Sequence, residues 1–161
     1  MSVPSTGQQA EAIAHSRRIV VGVDGSASSI AALRWAAAEA QLRGSDTFVE
    51  AVLAWQLPFA GQPPLADVPS THRAESEAMR HLEDILDAAL PPGPTPEPEI
   101  RPRVCEGTPT NALLTAATNA EMLVVGHKGY GLVTDVVRGS VGVRCLARAE
   151  CPVVIIPSPV S

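Results

Sequence analysis

The chain has 161 residues, with 12 Lys and Arg against 17 Asp and Glu for a formal net charge of −5; 45% of residues are apolar and 3% aromatic. That length holds one core and a tail rather than two full domains, and the apolar fraction excludes wholesale disorder. The acidic balance, without Lys/Arg blocks, argues against general binding to nucleic acid or anionic membranes, and no apolar run approaches the ~18 residues of a membrane-spanning helix.

Residues 1–16 are rich in Ser, Gln and Ala and have no basic stretch followed by an apolar one. They read as a flexible tail and not a secretory signal, leaving residues 17–158 as the folded domain. The cysteines, Cys105, Cys145 and Cys151, match no zinc spacing and read as reduced thiols of a cytoplasmic protein. With so few aromatics, the core has to come from Ala, Val, Leu and Ile.

Residues 18–24 (RIVVGVD) predict a buried strand that runs into an Asp-Gly-Ser turn. An alanine-rich helix follows over 28–43, capped by Ser26 or Ser28 and stopped by Gly44. Residues 47–56 predict a second strand. Four prolines exclude regular structure from 57–70, which reads as a long loop. Apolar residues at Met79, Leu82, Ile85, Leu86 and Ala89 keep a helical period over 71–90, and the prolines at 91 and 92 end it. The third strand, 99–105, has a polar start that suits a sheet edge. Thr108 then caps a helix with Pro109 in its first turn. A fourth strand over 121–126, a helix over 141–149 and a fifth strand over 151–157 complete the chain. Such alternation predicts an α/β fold: a Rossmann-like five-stranded parallel sheet with helices on both faces. With strand order 3-2-1-4-5, Asp24 and Gly126 face one crevice at the carboxyl edge.

The chemistry concentrates after the fourth strand. Gly126, His127, Lys128 and Gly129 are followed, after nine intervening residues, by Gly139, Ser140 and Val141, where a helix opens. Glycines allow close backbone approach, and the N–H groups and dipole of a helix N-terminus favour an anion. Lys128 and Arg138 add local positive charge. No P-loop, dinucleotide-binding glycine fingerprint or nucleophile elbow occurs in the chain.

VGVDGS at the first strand, VVGHKGYG at the fourth, the Gly-x2-Gly-x9-Gly-Ser spacing and the closing CPVVII resemble the universal stress protein family, over about residues 17–157. The resemblance is to the subgroup that keeps the glycine motif and binds ATP. It implies that Val23 and Asp24 lie beside the ribose and metal-phosphate region and that Ala54 presents backbone to adenine. It further implies that Gly126 and Gly129 approach the ribose and phosphates, and that Gly139, Ser140 and Val141 hold the phosphates. His127 and Lys128 occupy variable positions between those glycines, and Gly142 stands where the family often has a hydroxyl residue. The implied cofactor is ATP with Mg, and the implied assembly is a homodimer through the last strand, at 153–156.

The function this implies is a nucleotide-dependent regulator in a stress response, without fast turnover. A slow ATPase or phosphoryl-transfer enzyme is one alternative, with metal and Asp24 positioning a water or acceptor and His127 as the candidate base closest to the motif. A dimeric scaffold that works without nucleotide is the other. No set of metal ligands is identifiable.

Overall fold

Strands and helices alternate in the computed structural model, which describes residues 17–57, 70–93, 98–127 and 141–158. In chain order the elements are β1 (Arg17–Gly22), α1 (Ala27–Arg43), β2 (Thr47–Trp55), α2 (Thr71–Ala89), β3 (Ile100–Glu106), α3 (Pro109–Ala116), β4 (Met122–His127), α4 (Val141–Arg148) and β5 (Val153–Pro157). All strand pairs are parallel and the sheet order is β3-β2-β1-β4-β5, the order expected from the sequence. The tail at 1–16, the body of the Pro-rich loop at 58–69 and the stretch from 128 to 140 lie outside the described residues.

The apolar blocks in β1, β2 and β4 do not alternate because both faces of the sheet are covered. On one face Ile19, Val21, Val49, Ala51, Leu53, Met122 and Val124 pack against Ala32, Leu33, Ala36 and Ala40 of α1 and against Leu82 and Ala89 of α2. On the other, Val20, Val52, Leu123 and Val125 pack against Leu113 and Ala116 of α3 and Cys145 of α4. Alanine on the inner face of α1 lets the helix lie close to the strands. Trp35 packs at the margin of this core, whereas Leu42 is 84% exposed and takes no part in it. Burial pushes the Cys145 thiol above its usual range.

Local chemistry sets the boundaries. Ser26 is the N-cap of α1, and its Oγ accepts from the Ser29 N–H at 3.3 Å. Gly44 ends the helix at φ +101°, and its N–H donates to the Ala40 carbonyl. Thr108 caps α3 with Pro109 at its start, as the sequence predicts. Strand limits differ from the sequence reading by one or two residues, and three of the differences have a clear local cause. β1 stops at Gly22 because Asp24 and Gly25 already form a turn. β5 begins at Val153 because Pro152 has no N–H, although its carbonyl accepts from Leu123 at 2.9 Å. β4 extends to His127, whose carbonyl accepts the Ser158 N–H at 2.9 Å.

The sheet edges differ in character. β3 is half-exposed and carries Arg101, Pro102 and Arg103. The Arg101 guanidinium binds Glu99 at 2.7 Å and lies 3.8 Å from the centroid of the Phe48 ring. Charge and proline protect such an edge from pairing. β5 presents Val153, Val154, Ile155 and Ile156 between two prolines.

One buried group is left unsatisfied. Thr47 opens β2 at 3% exposure, and its Oγ1 has no hydrogen-bond partner among the described residues. An unpaired buried hydroxyl is a net cost. Thr47→Val, of the same shape, is expected to raise the unfolding free energy by about 1 kcal/mol in a urea titration. A loss of stability would mean that the hydroxyl is satisfied in solution.

Candidate functional site

The strand order reverses direction at β1, between β2 and β4, and parallel sheets form ligand crevices beyond the carboxyl ends of the strands at such a point. A cavity of about 380 Å³ opens there. It is walled by the ends of β1, β2 and β4 and by the first turns of α1, α3 and α4.

The turn after β1 supplies its polar side. Val23 is buried, and its N–H donates to the Val52 carbonyl at 2.9 Å, the last bond between β1 and β2. Asp24 follows in an exposed position. Its Oδ1 accepts the Ser26 N–H at 2.9 Å, and its own N–H donates to Ser29 Oγ at 3.3 Å. Ser29 Oγ in turn donates to the Ser26 carbonyl at 3.0 Å, and the Ser26 and Ser28 hydroxyls lie 3.2 Å apart. Gly25, at φ +81°, lets the chain reverse inside this network. The Ser26 N–H therefore holds the Asp24 carboxylate and the Ser29 hydroxyl holds its backbone before any ligand arrives.

β2 supplies a different kind of group. The Val52 carbonyl points toward β1, and the Trp55 carbonyl points toward β3, where it accepts the Gly107 N–H at 2.9 Å. Strand backbone groups alternate sides, so the N–H and C=O of Ala54 point toward β1. There β1 has already ended at Gly22. Among the described residues neither group has a hydrogen-bond partner. A donor and an acceptor on one residue are thus presented at the cavity.

Of the residues expected at the site, Val23, Asp24, Ala54, Gly126, His127 and Val141 all line this single cavity. Lys128, Gly129, Gly139 and Ser140 lie outside the described residues. Gly126 also has a packing role: a Cβ there would stand 2.4 Å from the carbonyl carbon and oxygen of Ser28. The sequence reading missed Ser28, Ser29, Pro109 and Leu113 as cavity residues. A signal for them existed, because in a βα-alternating sheet every helix N-terminus returns to the carboxyl edge.

The arrangement suits an anion joined to a flat, partly apolar group. Three helix N-termini, those of α1, α3 and α4, reach the cavity and each brings partial positive charge. Val52, Leu53, Pro109, Leu113 and Val125 form the apolar wall. Among the described residues Asp24 is the one carboxylate lining the cavity, and no group of three His, Cys, Asp or Glu could hold a metal ion. The described side chains therefore fit a nucleotide-like ligand better than a protein-caged metal. A divalent ion here would sit mainly on the ligand's own phosphates.

Fold and site together define a doubly wound α/β domain with a cavity at its switch point. A family model described as the universal stress protein family matches residues 15–157, and the chain belongs to that family. It is 33% identical over 144 residues to a universal stress protein of Mycolicibacterium smegmatis, covering 86% of this chain and 47% of the relative. Against a universal stress protein of Mycobacterium tuberculosis it is 31% identical over 143 residues, covering 86% and 46%. The chain thus spans about half the length of the curated relatives it matches. Among solved structures, a universal stress protein in complex with cAMP superposes with a TM-score of 0.58 at 25% identity, covering 90% of this chain and 99% of that one. The universal stress protein UspA of Lactobacillus plantarum gives 0.61 at 18% identity, covering 88% and 98%, a likeness of fold. No described helix is long and apolar enough to cross a membrane.

Proposed function

We propose that the switch-point cavity binds an adenine nucleotide, ATP with Mg in the form the sequence implies, and that the chain is a nucleotide-dependent regulator in a stress response. The observation that carries this reading is the presence, in one cavity, of the Ala54 backbone pair, unpartnered among the described residues, and three converging helix N-termini. The Ala54 N–H and C=O suit the N1 acceptor and N6 donor of adenine, while the helix ends suit phosphate. The cAMP complex of a related universal stress protein supports the same ligand class.

In this reading Val23 and the apolar wall enclose the base and ribose, and Asp24 accepts from a ribose hydroxyl or holds the metal-phosphate end. Gly126 and His127 flank the phosphates at the end of β4, and Val141 does so at the start of α4. Lys128, Gly129, Gly139 and Ser140 complete the phosphate site. With one carboxylate among the described lining residues, these residues suit binding better than rapid phosphoryl transfer. The chain pairs with a second copy through β5, whose apolar outer edge contrasts with the charged edge at β3.

Calorimetric titration of nucleotide-stripped protein tests this, with Mg-ATP, AMP and guanosine monophosphate. The expected result is adenine-nucleotide binding in the micromolar range, corresponding to roughly −8 kcal/mol, with the guanine ligand at least about ten-fold weaker. The absence of heat with ATP and AMP, confirmed by equilibrium dialysis, would overturn it.

A further inference from the structure

We propose that α2 is the element that registers nucleotide occupancy: a ligand held at the Asp24 turn keeps α2 docked on the sheet, and an empty cavity lets it loosen. This inference rests on the nucleotide reading of the cavity.

The sequence makes α2 a weakly held helix. Of its 19 residues only Leu82 and Ala89 are buried, whereas α1 buries seven of 17. It carries five carboxylates against two arginines. Three of those carboxylates, Glu83, Asp84 and Asp87, stand in its last two turns, where the carbonyl end of the helix dipole opposes negative charge. The last turn has no basic residue to offset them. A helix with so little buried surface opens at a lower free energy than the strands beneath it.

The contacts that do hold α2 lead to the cavity. Leu82 and Ala89 belong to the same buried cluster as Val23 and Leu53, and Ile85 packs at its margin. Val23 and Leu53 also line the cavity, so the core that anchors α2 is part of the cavity wall. The second link is the turn after β1. Gly25 stands between Asp24 and Ser26 at φ +81°. Ile85 Cδ1 and Cγ1 lie 3.3 and 3.8 Å from the place that a Cβ on Gly25 would occupy, so Ile85 rests on the bare backbone of the turn. Across that same turn the Ser26 N–H donates to Asp24 Oδ1 at 2.9 Å. Lifting α2 takes Ile85 off Gly25 and removes the support under Asp24. A ligand that grips Asp24 therefore binds the docked state better than the loosened one, and that differential affinity is what shifts an equilibrium. The outer face of α2 is exposed, so how firmly the helix docks is presented at the surface.

The test is amide hydrogen exchange read by mass spectrometry on the nucleotide-stripped protein, alone and with whichever of Mg-ATP and AMP binds more tightly in calorimetry. With ligand at about 100 times its Kd, an opening that releases the ligand is slowed by up to ~100-fold. The expected result is exchange at least about ten-fold slower across α2 when nucleotide is bound. Leu86→Ala loosens the same helix but keeps the Ile85 contact with Gly25, so its α2 exchanges faster and still slows with nucleotide. Ile85→Ala removes that contact, so its α2 exchanges faster and nucleotide slows it less than about two-fold, while the Asp24–Ser29 turn stays protected by ligand. Circular dichroism and thermal unfolding report whether both variants are folded. Ile85→Val, which keeps part of the contact, is expected to fall between wild type and Ile85→Ala, and it replaces Ile85→Ala if α2 is lost there. Exchange in wild-type α2 that bound nucleotide leaves unchanged, or slowing that persists in full when Ile85 is truncated, overturns the inference and leaves the nucleotide reading standing. If neither nucleotide gives binding heat, the nucleotide reading falls and this inference with it.

Discussion

Gly126→Ala is expected to lower the unfolding free energy by about 3 kcal/mol, the upper end of the usual cost of overpacking. A Cβ at this position would lie 2.4 Å from the carbonyl carbon and oxygen of Ser28 and 2.8 Å from the Ser29 nitrogen. These are backbone atoms in the first turn of α1 and cannot rotate aside. Ser28 and Ser29 are themselves buried and tied to Ser26 by hydrogen bonds. The helix has to lift from the sheet or β4 has to bend. Either response disturbs the polar rim of the cavity. For a domain of this size, such a loss lowers the melting temperature by roughly 6–12 °C. Gly22→Ala is the matched reference. Its Cβ would meet Leu113 Cδ1 at 2.9 Å, the end of a side chain that can change rotamer, and about 1 kcal/mol is expected. Urea titrations of the two variants check the difference. Equal costs would mean that the contact between α1 and β4 yields easily.

The second large effect is expected from Leu82→Ala, at about 3–4 kcal/mol. α2 is 19 residues long, yet Leu82 and Ala89 are its only buried residues. Leu82 is fully buried, with Ala78, Ile85 and Leu86 packed at the margin of the same core. Arg34 of α1 adds one further tie, its Nε donating to the Ala89 carbonyl at 3.0 Å. Truncating Leu82 removes the main apolar anchor and leaves a cavity that helix and sheet close only in part. The effect reaches the candidate site, because Ile85 Cδ1 would stand 3.3 Å from a Cβ on Gly25, in the turn that carries Asp24. Hydrogen exchange is therefore expected to quicken in α2 and in the Asp24–Ser29 turn more than in β1. A cost under about 1 kcal/mol with α2 still protected would contradict this account.

Much of the fold is legible from residue patterns because it depends on local chemistry. The apolar blocks give the five strands, the period of Leu82, Ile85, Leu86 and Ala89 gives α2, and Thr108 with Pro109 gives the start of α3. Where strand limits differ, hydrogen bonding decides: the Asp24 turn shortens β1, the missing N–H of Pro152 delays β5, and Ser158 extends β4. Burial is less legible. Leu42 sits in an apolar helix yet faces solvent, because the inner face of α1 is occupied by alanines that meet the sheet.

The site follows the same division. Asp24, Gly126 and His127 can be nominated from strand ends and glycine spacing and Ala54 from the family resemblance, whereas Ser28, Ser29, Pro109 and Leu113 are marked only by standing at helix starts, since nothing more local distinguishes them. The direction of the Ala54 backbone pair requires knowing that β1 ends at Gly22 while β2 continues to Trp55. The double role of Gly126 requires knowing which helix lies against it.

The sequence by itself determined the alternating α/β order, the helix caps and the apolar blocks, because each depends on neighbours a few residues away. Only the tertiary structure decided which residues meet at the switch point. That meeting depends on β1 lying between β2 and β4 and on three separate helix N-termini returning to one edge, where contacts between residues some hundred positions apart set the distances.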